Sequence, residues 1–185
     1  MNLANRITIF RILLIPFFIA CLLYLDHTRP YLKLIAAIIF AVAALTDAID
    51  GGIARSRDQI TELGVALDPI ADKLLISSAF ISLSIIKNVP LDMHIPAWAV
   101  VSVVSRDVII VIGALLIYFL KGSIKIEPSW LGKLTAFCQM IAILAILTMT
   151  RYSMFFMYPT IFLTILSGLD YVWRGSKQLN ETQKA

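Results

Sequence analysis

Six apolar windows organise this chain, at about residues 9–25, 31–49, 70–87, 96–120, 131–149 and 153–173, and the separators between them carry Pro, Gly, Asp, Lys or Arg. A helix needs about 20 mostly apolar residues to cross the hydrocarbon of a bilayer, whereas a barrel strand needs only about 9–11. In lipid the backbone must satisfy its own hydrogen bonds, so windows of this length are helices. They predict an all-α fold: a polytopic membrane protein built as a six-transmembrane-helix bundle. Composition agrees, because 59% hydrophobic and 15% charged residues lie far from the roughly 45–50% and 25% of a water-soluble domain. Residues 1–185 are expected to form a single membrane domain, with a short interfacial segment over Met1–Thr8 ahead of the first span and a polar, mobile tail over 175–185. The run Ile9–Leu25 is read as an uncleaved span rather than a signal peptide, since the chain beyond it is itself a set of spans.

Six spans place both termini on one side. Of the 16 Lys and Arg residues, eleven fall on that side, four on the other, and Arg106 lies within the fourth span. The positive-inside rule then puts both termini in the cytoplasm of a cell whose cytoplasmic membrane holds the protein. The net charge of +4 suits anionic headgroups in this setting, and nucleic acid is not an expected partner. Cys21 and Cys138 sit in apolar runs and read as small buried hydrophobes, while His27 and His94 fall in external connections.

Acidic residues are concentrated at one place. Asp47 and Asp50 close the second window, and Asp68 and Asp72 open the third. Helical spacings of three and four put each pair on one face, so two short carboxylate ladders can face each other. Solvated helix ends are the ordinary explanation of such acids, but Asp47 and Asp72 lie about a turn inside apolar runs, where an ionised Asp costs about 2.5–3.5 kcal/mol. Four like charges also repel, so the cluster needs cations or protons. Short carboxylates without His or Cys favour a hard ion such as magnesium or manganese, and two ions about 3.5–4 Å apart would suit displacement at phosphorus. Gly51, Gly52 and Gly64 leave room for close backbone approach, Arg55 offers a fork for phosphate oxygens, and Pro69 is expected in the first turn of the third span.

The run D-x-x-D-G-x-x-A-R, eight residues, then G-x-x-x-D-x-x-x-D resembles the signature of the CDP-alcohol phosphotransferases, matched by Asp47, Asp50, Gly51, Ala54, Arg55, Gly64, Asp68 and Asp72. Asn5, Thr8 and Arg11 look like the family's N-terminal N-x-x-T-x-x-R. The resemblance implies a CDP-diacylglycerol donor bound by Asn5, Thr8, Gly51, Ala54, Arg55 and Gly64, metal ions on Asp47, Asp50, Asp68 and Asp72, Asp72 as general base, and a homodimer. Leu67–Leu75 is similar to members that use glycerol 3-phosphate as acceptor. Val65 and Ala66 stand where many of those carry Lys and a bulky residue, so phosphatidylglycerol and an inositol phosphate stay open as acceptors.

An acceptor phosphate would need cations. Arg106 is the first candidate, because an intramembrane Arg is functional by default. Pairing with its neighbour Asp107 is the competing explanation, disfavoured because adjacent helix residues point apart. Lys133 and Lys73 are further candidates, with headgroup anchoring as their alternative. Asp170 and Tyr171 could close the pocket, though Tyr also anchors at interfaces. An ion transporter is the rival of another class, but it would spread acids through the membrane depth rather than gather them at one end.

Overall fold

In the computed structural model the described residues are 3–26, 28–56, 62–87, 90, 93–121, 129–148 and 153–182, with side chains described over 8–26, 28–46, 71–87, 90, 93–113, 129–148 and 154–177. They form six helices: α1 (Leu3–Leu23), α2 (Tyr31–Ser56), α3 (Glu62–Ile85), α4 (Ala97–Lys121), α5 (Trp130–Thr148) and α6 (Ser153–Thr182). No strand occurs among the described residues. The protein is a membrane helical bundle, as the six windows predict. Trp130–Thr148 and Met154–Lys177 are each long and apolar enough to cross a bilayer as described, and Thr8–Leu23 and Tyr31–Thr46 are shorter apolar stretches.

Local chemistry sets the helix ends. After α1 the chain turns at Asp26, whose carboxylate accepts from the Thr28 backbone N–H at 2.9 Å and the Thr28 hydroxyl at 3.0 Å. Pro30 then precedes α2, and Pro96 precedes α4 and accepts from the Ala99 N–H at 3.0 Å; a residue without an N–H loses nothing at a helix start. Ser129 caps α5, its Oγ accepting from the Gly132 N–H at 3.0 Å and satisfying a donor that has no partner within the helix.

α1 packs against both α2 and α3; α6 packs against α4 and α5; contacts of α2 with α5 and of α3 with α4 join the two groups. Phe18 of α1 meets Phe40 of α2 with ring centroids 5.8 Å apart, and Leu75, Phe80 and Leu83 of α3 with Ile143 and Ile146 of α5 continue the same core. Ala36, Ala43, Ala79 and Ala99 are fully buried, which lets helices approach closely where lipid gives no hydrophobic drive to associate. Outward, Phe17, Leu34, Leu45, Val101, Phe137 and Phe162 are all more than half exposed. Such a surface is a liability in water and a natural boundary with lipid.

Three boundaries differ from expectation. α2 runs through Gly51 and Gly52 to Ser56, and α3 starts at Glu62, so Pro69 lies inside the helix instead of in its first turn. A glycine costs about 1 kcal/mol in a helix and a proline about 3, but a membrane bundle can offset both by packing and re-satisfied backbone groups. Pro16 and Pro159 likewise lie inside α1 and α6. α6 extends to Thr182, so most of the stretch expected to be a mobile tail is helical; the Asp170–Arg174 pair at 2.9 Å supports the turn just before it. Residues 3–8 form the first turns of α1 without a break.

Along the α5–α6 seam, polar groups find partners across the interface. Gln139 Nε2 donates to Thr164 Oγ1 at 3.0 Å, and the Thr160 hydroxyl lies 3.2 Å from the Cys138 carbonyl. Between α6 and α4, the Tyr171 hydroxyl donates to the Ile110 carbonyl at 2.9 Å, and a Cβ at Gly113 would lie 2.8 Å from Tyr171 Cε1. Gly113→Ala should therefore push the ring off its hydrogen bond and destabilise the bundle by about 1–3 kcal/mol. A thermal melt of the purified variant checks this, and an unchanged midpoint would show that the ring can yield.

Candidate active site

Asp72 stands on α3, half-buried, with its Oδ1 shut off from solvent. Of the other candidates, Asp47, Asp50, Gly51, Ala54 and Arg55 lie on α2, Gly64 and Asp68 on α3, and Asn5 on α1, so Asn5 and the residues from Gly51 to Asp68 named here are helical where the apolar windows put an interfacial segment and a connection. The side chains of these residues lie outside the described ones. Thr8 and Arg11, one turn apart on α1, are both fully buried. α1 packs on the two helices that carry the acids, and the Arg11 guanidinium adds a buried positive charge to that group of helices.

The donor set fits a hard divalent ion. α2 is continuous across Asp47 and Asp50, and α3 across Asp68 and Asp72, so spacings of three and four keep each pair on one helical face. Carboxylate oxygens are the ligands magnesium and manganese prefer. Among the described residues alone, no group of three or more possible ligands is assembled, which leaves Asp72 as the described member of the set.

A second polar cluster adjoins Asp72. Lys73 Nζ lies 2.7 Å from Asp107 Oδ1, and Arg106 Nη1 lies 2.8 Å from that same oxygen. Arg106 Nη2 donates to Ser167 Oγ of α6 at 2.8 Å. The expectation that Arg106 and Asp107 diverge is thus overturned: the long Arg side chain curls back to its neighbour, and its far end is held by another helix. Arg106 and Asp107 are each only 8% exposed.

Two glycines make room for this guanidinium. A Cβ at Gly132 would lie 3.3 Å from Arg106 Nη2, and one at Gly168 would lie 3.5 Å from Arg106 Cγ. Because Gly132 belongs to the first turn of α5, the Arg106 guanidinium sits level with the start of that helix. Lys133, the next residue, is exposed and makes no ion pair among the described residues. The structure therefore brings Lys73 and Arg106 together and does not bring Lys133 into that contact. Tyr171 ties α6 to the α4 backbone, and Asp170 pairs with Arg174.

Ser167, Gly132 and Gly168 were not singled out by the sequence, and Asp107 entered only as the disfavoured partner of Arg106, though a second ionisable group beside an intramembrane Arg is itself a signal. Ser167 and the glycines carried none, because their role depends on which helices become neighbours.

Fold and cluster define a helical membrane protein in which Asp72 adjoins, along α3, a buried group of Lys73, Arg106 and Asp107. Comparison with known proteins makes the class specific. The sequence pattern of the CDP-alcohol phosphatidyltransferase family matches residues 1–166. A probable phosphatidylglycerophosphate synthase of Mycobacterium tuberculosis (strain H37Rv) is 35% identical over 183 residues, covering 96% of this chain and 83% of the relative. CDP-diacylglycerol–glycerol-3-phosphate 3-phosphatidyltransferases of Bacillus subtilis (strain 168) and Escherichia coli (strain K12) are each 34% identical, covering 97% and 77% of this chain and 99% and 74% of the relatives. The chain belongs to the CDP-alcohol phosphatidyltransferase family. It is a membrane phosphatidyltransferase, a class of enzyme that serves phospholipid synthesis.

Proposed function

We propose that this enzyme transfers a phosphatidyl group from CDP-diacylglycerol to glycerol 3-phosphate, giving phosphatidylglycerophosphate and CMP. The observation that carries the acceptor is the meeting of Lys73 and Arg106 at one carboxylate oxygen, directly beside Asp72 in the chain. A phosphate monoester dianion calls for cations held in place, and a neutral alcohol does not. The names of the Bacillus and Escherichia relatives support the same donor and acceptor.

In this reading Asp72 takes the proton of the attacking acceptor hydroxyl. The hydroxyl oxygen bonds to the lipid-bearing phosphorus, the bond from that phosphorus to the bridging oxygen breaks, and CMP leaves with that oxygen. Arg106 and Lys73 hold the acceptor phosphate, with Lys133 near the aqueous rim. Asn5, Thr8, Gly51, Ala54, Arg55 and Gly64 hold the donor. Asp47, Asp50, Asp68 and Asp72 hold magnesium or manganese, two ions in all. Bound there, the ions supply neutralisation of the charge that builds on the departing phosphate.

The whole chain acts as one catalytic domain, as a homodimer, in the cytoplasmic membrane. The excess of Lys and Arg on the side of the termini supports a site open to the cytoplasm.

Purified protein given CDP-diacylglycerol, manganese or magnesium, and either glycerol 3-phosphate, phosphatidylglycerol or an inositol phosphate should release CMP with the first alone. Release with one of the others instead would replace the acceptor. Arg106→Ala should raise KM for glycerol 3-phosphate by about 10- to 100-fold, the worth of a lost charge-assisted contact. An unchanged KM would remove Arg106 from the acceptor site.

A further inference from the structure

We propose that Asp107 is a positioning residue that sets the affinity for a phosphorylated acceptor, by holding Lys73 of α3 and Arg106 of α4 as one two-cation fork. The inference rests on the reading of Lys73 and Arg106 as the groups that meet the acceptor phosphate. It goes beyond that reading by assigning Asp107, which touches neither substrate, a role in recognition.

Charge comes first. Two cations converge on a single carboxylate oxygen of Asp107, at 2.7 and 2.8 Å. The side chains of Arg106 and Asp107 are 9% and 11% exposed, and that of Lys73 is 28% exposed. A guanidinium and an ammonium that share one carboxylate oxygen keep further N–H donors for an anion that enters beside them.

Geometry comes second. A free Lys or Arg side chain samples many rotamers and loses them on binding, which weakens the complex. Asp107 removes that freedom in advance. It draws the Lys73 ammonium across from α3 and bends the Arg106 guanidinium back along α4. The other end of the guanidinium is fixed by Ser167, and its stem and tip lie against Gly168 and Gly132. Three helices, α4, α5 and α6, thus share in fixing one arginine. Lys73 also adjoins Asp72, so the same carboxylate couples the position of the acceptor phosphate to the helix that carries the general base.

A merely structural ion cluster would behave differently from a positioning one. Asp107→Asn keeps size and a hydrogen-bond acceptor but loses the charge that gathers both cations. In the full-length enzyme, with CDP-diacylglycerol and manganese, it should raise KM for glycerol 3-phosphate about tenfold. KM for CDP-diacylglycerol and kcat at saturating acceptor should stay within about twofold, and Asp107→Glu should recover most of the loss. Ser167→Ala, which frees the guanidinium tip and leaves the charges intact, should raise the same KM about threefold. The inference is overturned if Asp107→Asn leaves the acceptor KM unchanged, or if it lowers kcat and the affinities for both substrates together with the melting temperature while Ser167→Ala changes nothing. Arg106→Ala measured alongside separates the two ideas. If that variant keeps the acceptor KM of the parent, the acceptor reading itself fails; if it raises KM while Asp107→Asn and Ser167→Ala do not, only the role of Asp107 fails.

Discussion

Replacing Asp72 with Asn should reduce CMP release by about 10²- to 10⁴-fold, the range a well-placed general base contributes. The substitution keeps the size and most of the polarity of the side chain, so the bundle should survive: Asp72 is half-buried on a helix whose packing rests on Ala71, Leu75, Ala79 and Phe80. Steady-state CMP release and a thermal melt on the same preparation decide the matter. A variant that melts like the parent and turns over within a few-fold of it would take the proton-accepting role away from Asp72. A variant that neither folds nor turns over would be resolved by Asp72→Glu, which restores a carboxylate one methylene longer.

Removal of divalent ions should have an effect of similar size. Ions on Asp47, Asp50, Asp68 and Asp72 would contribute several kcal/mol to stabilising charge in the transition state, so chelation should suppress release at least about a hundredfold, with recovery on adding manganese or magnesium. Stability offers a readout independent of turnover. A ligand that binds only the folded protein raises its melting temperature, and ions that separate clustered carboxylates should do so here. The rise should vanish in Asp68→Asn. Full activity in a chelated preparation, or an ion-induced rise that persists in that variant, would contradict the metal site.

Much of the architecture was legible in the amino acids because lipid imposes a simple rule: apolar stretches of sufficient length become helices. The helix count and order follow from the windows, and the core residues Phe18, Phe40, Phe80 and Ile143 all fall inside them. Ends were harder to read. Gly51, Gly52 and Pro69 stop helices in water, yet here α2 and α3 pass through all three, because neighbouring helices offset the local cost. The helical setting of the acids was legible through their spacing, since α2 and α3 are continuous across Asp47, Asp50, Asp68 and Asp72, while the side chains of the first three lie outside the described residues. Arg106 was legible as an anomaly in an apolar span. Its surroundings were not, because sequence gives no hint that the first turn of α5 and the middle of α6 would bring Gly132, Ser167 and Gly168 against it. The divergence of side chains at adjacent helix positions holds for short residues and fails for one as long as Arg.

α5 has 19 residues, the fewest of the six helices, and it begins level with Arg106. From that level α4 continues to Lys121 and α6 to Thr182, a further rise of roughly 20 Å for each. The first turn of α5, rather than its middle, is therefore what bears on the guanidinium, so fraying at that one helix end would loosen Arg106 while the rest of the bundle stayed packed.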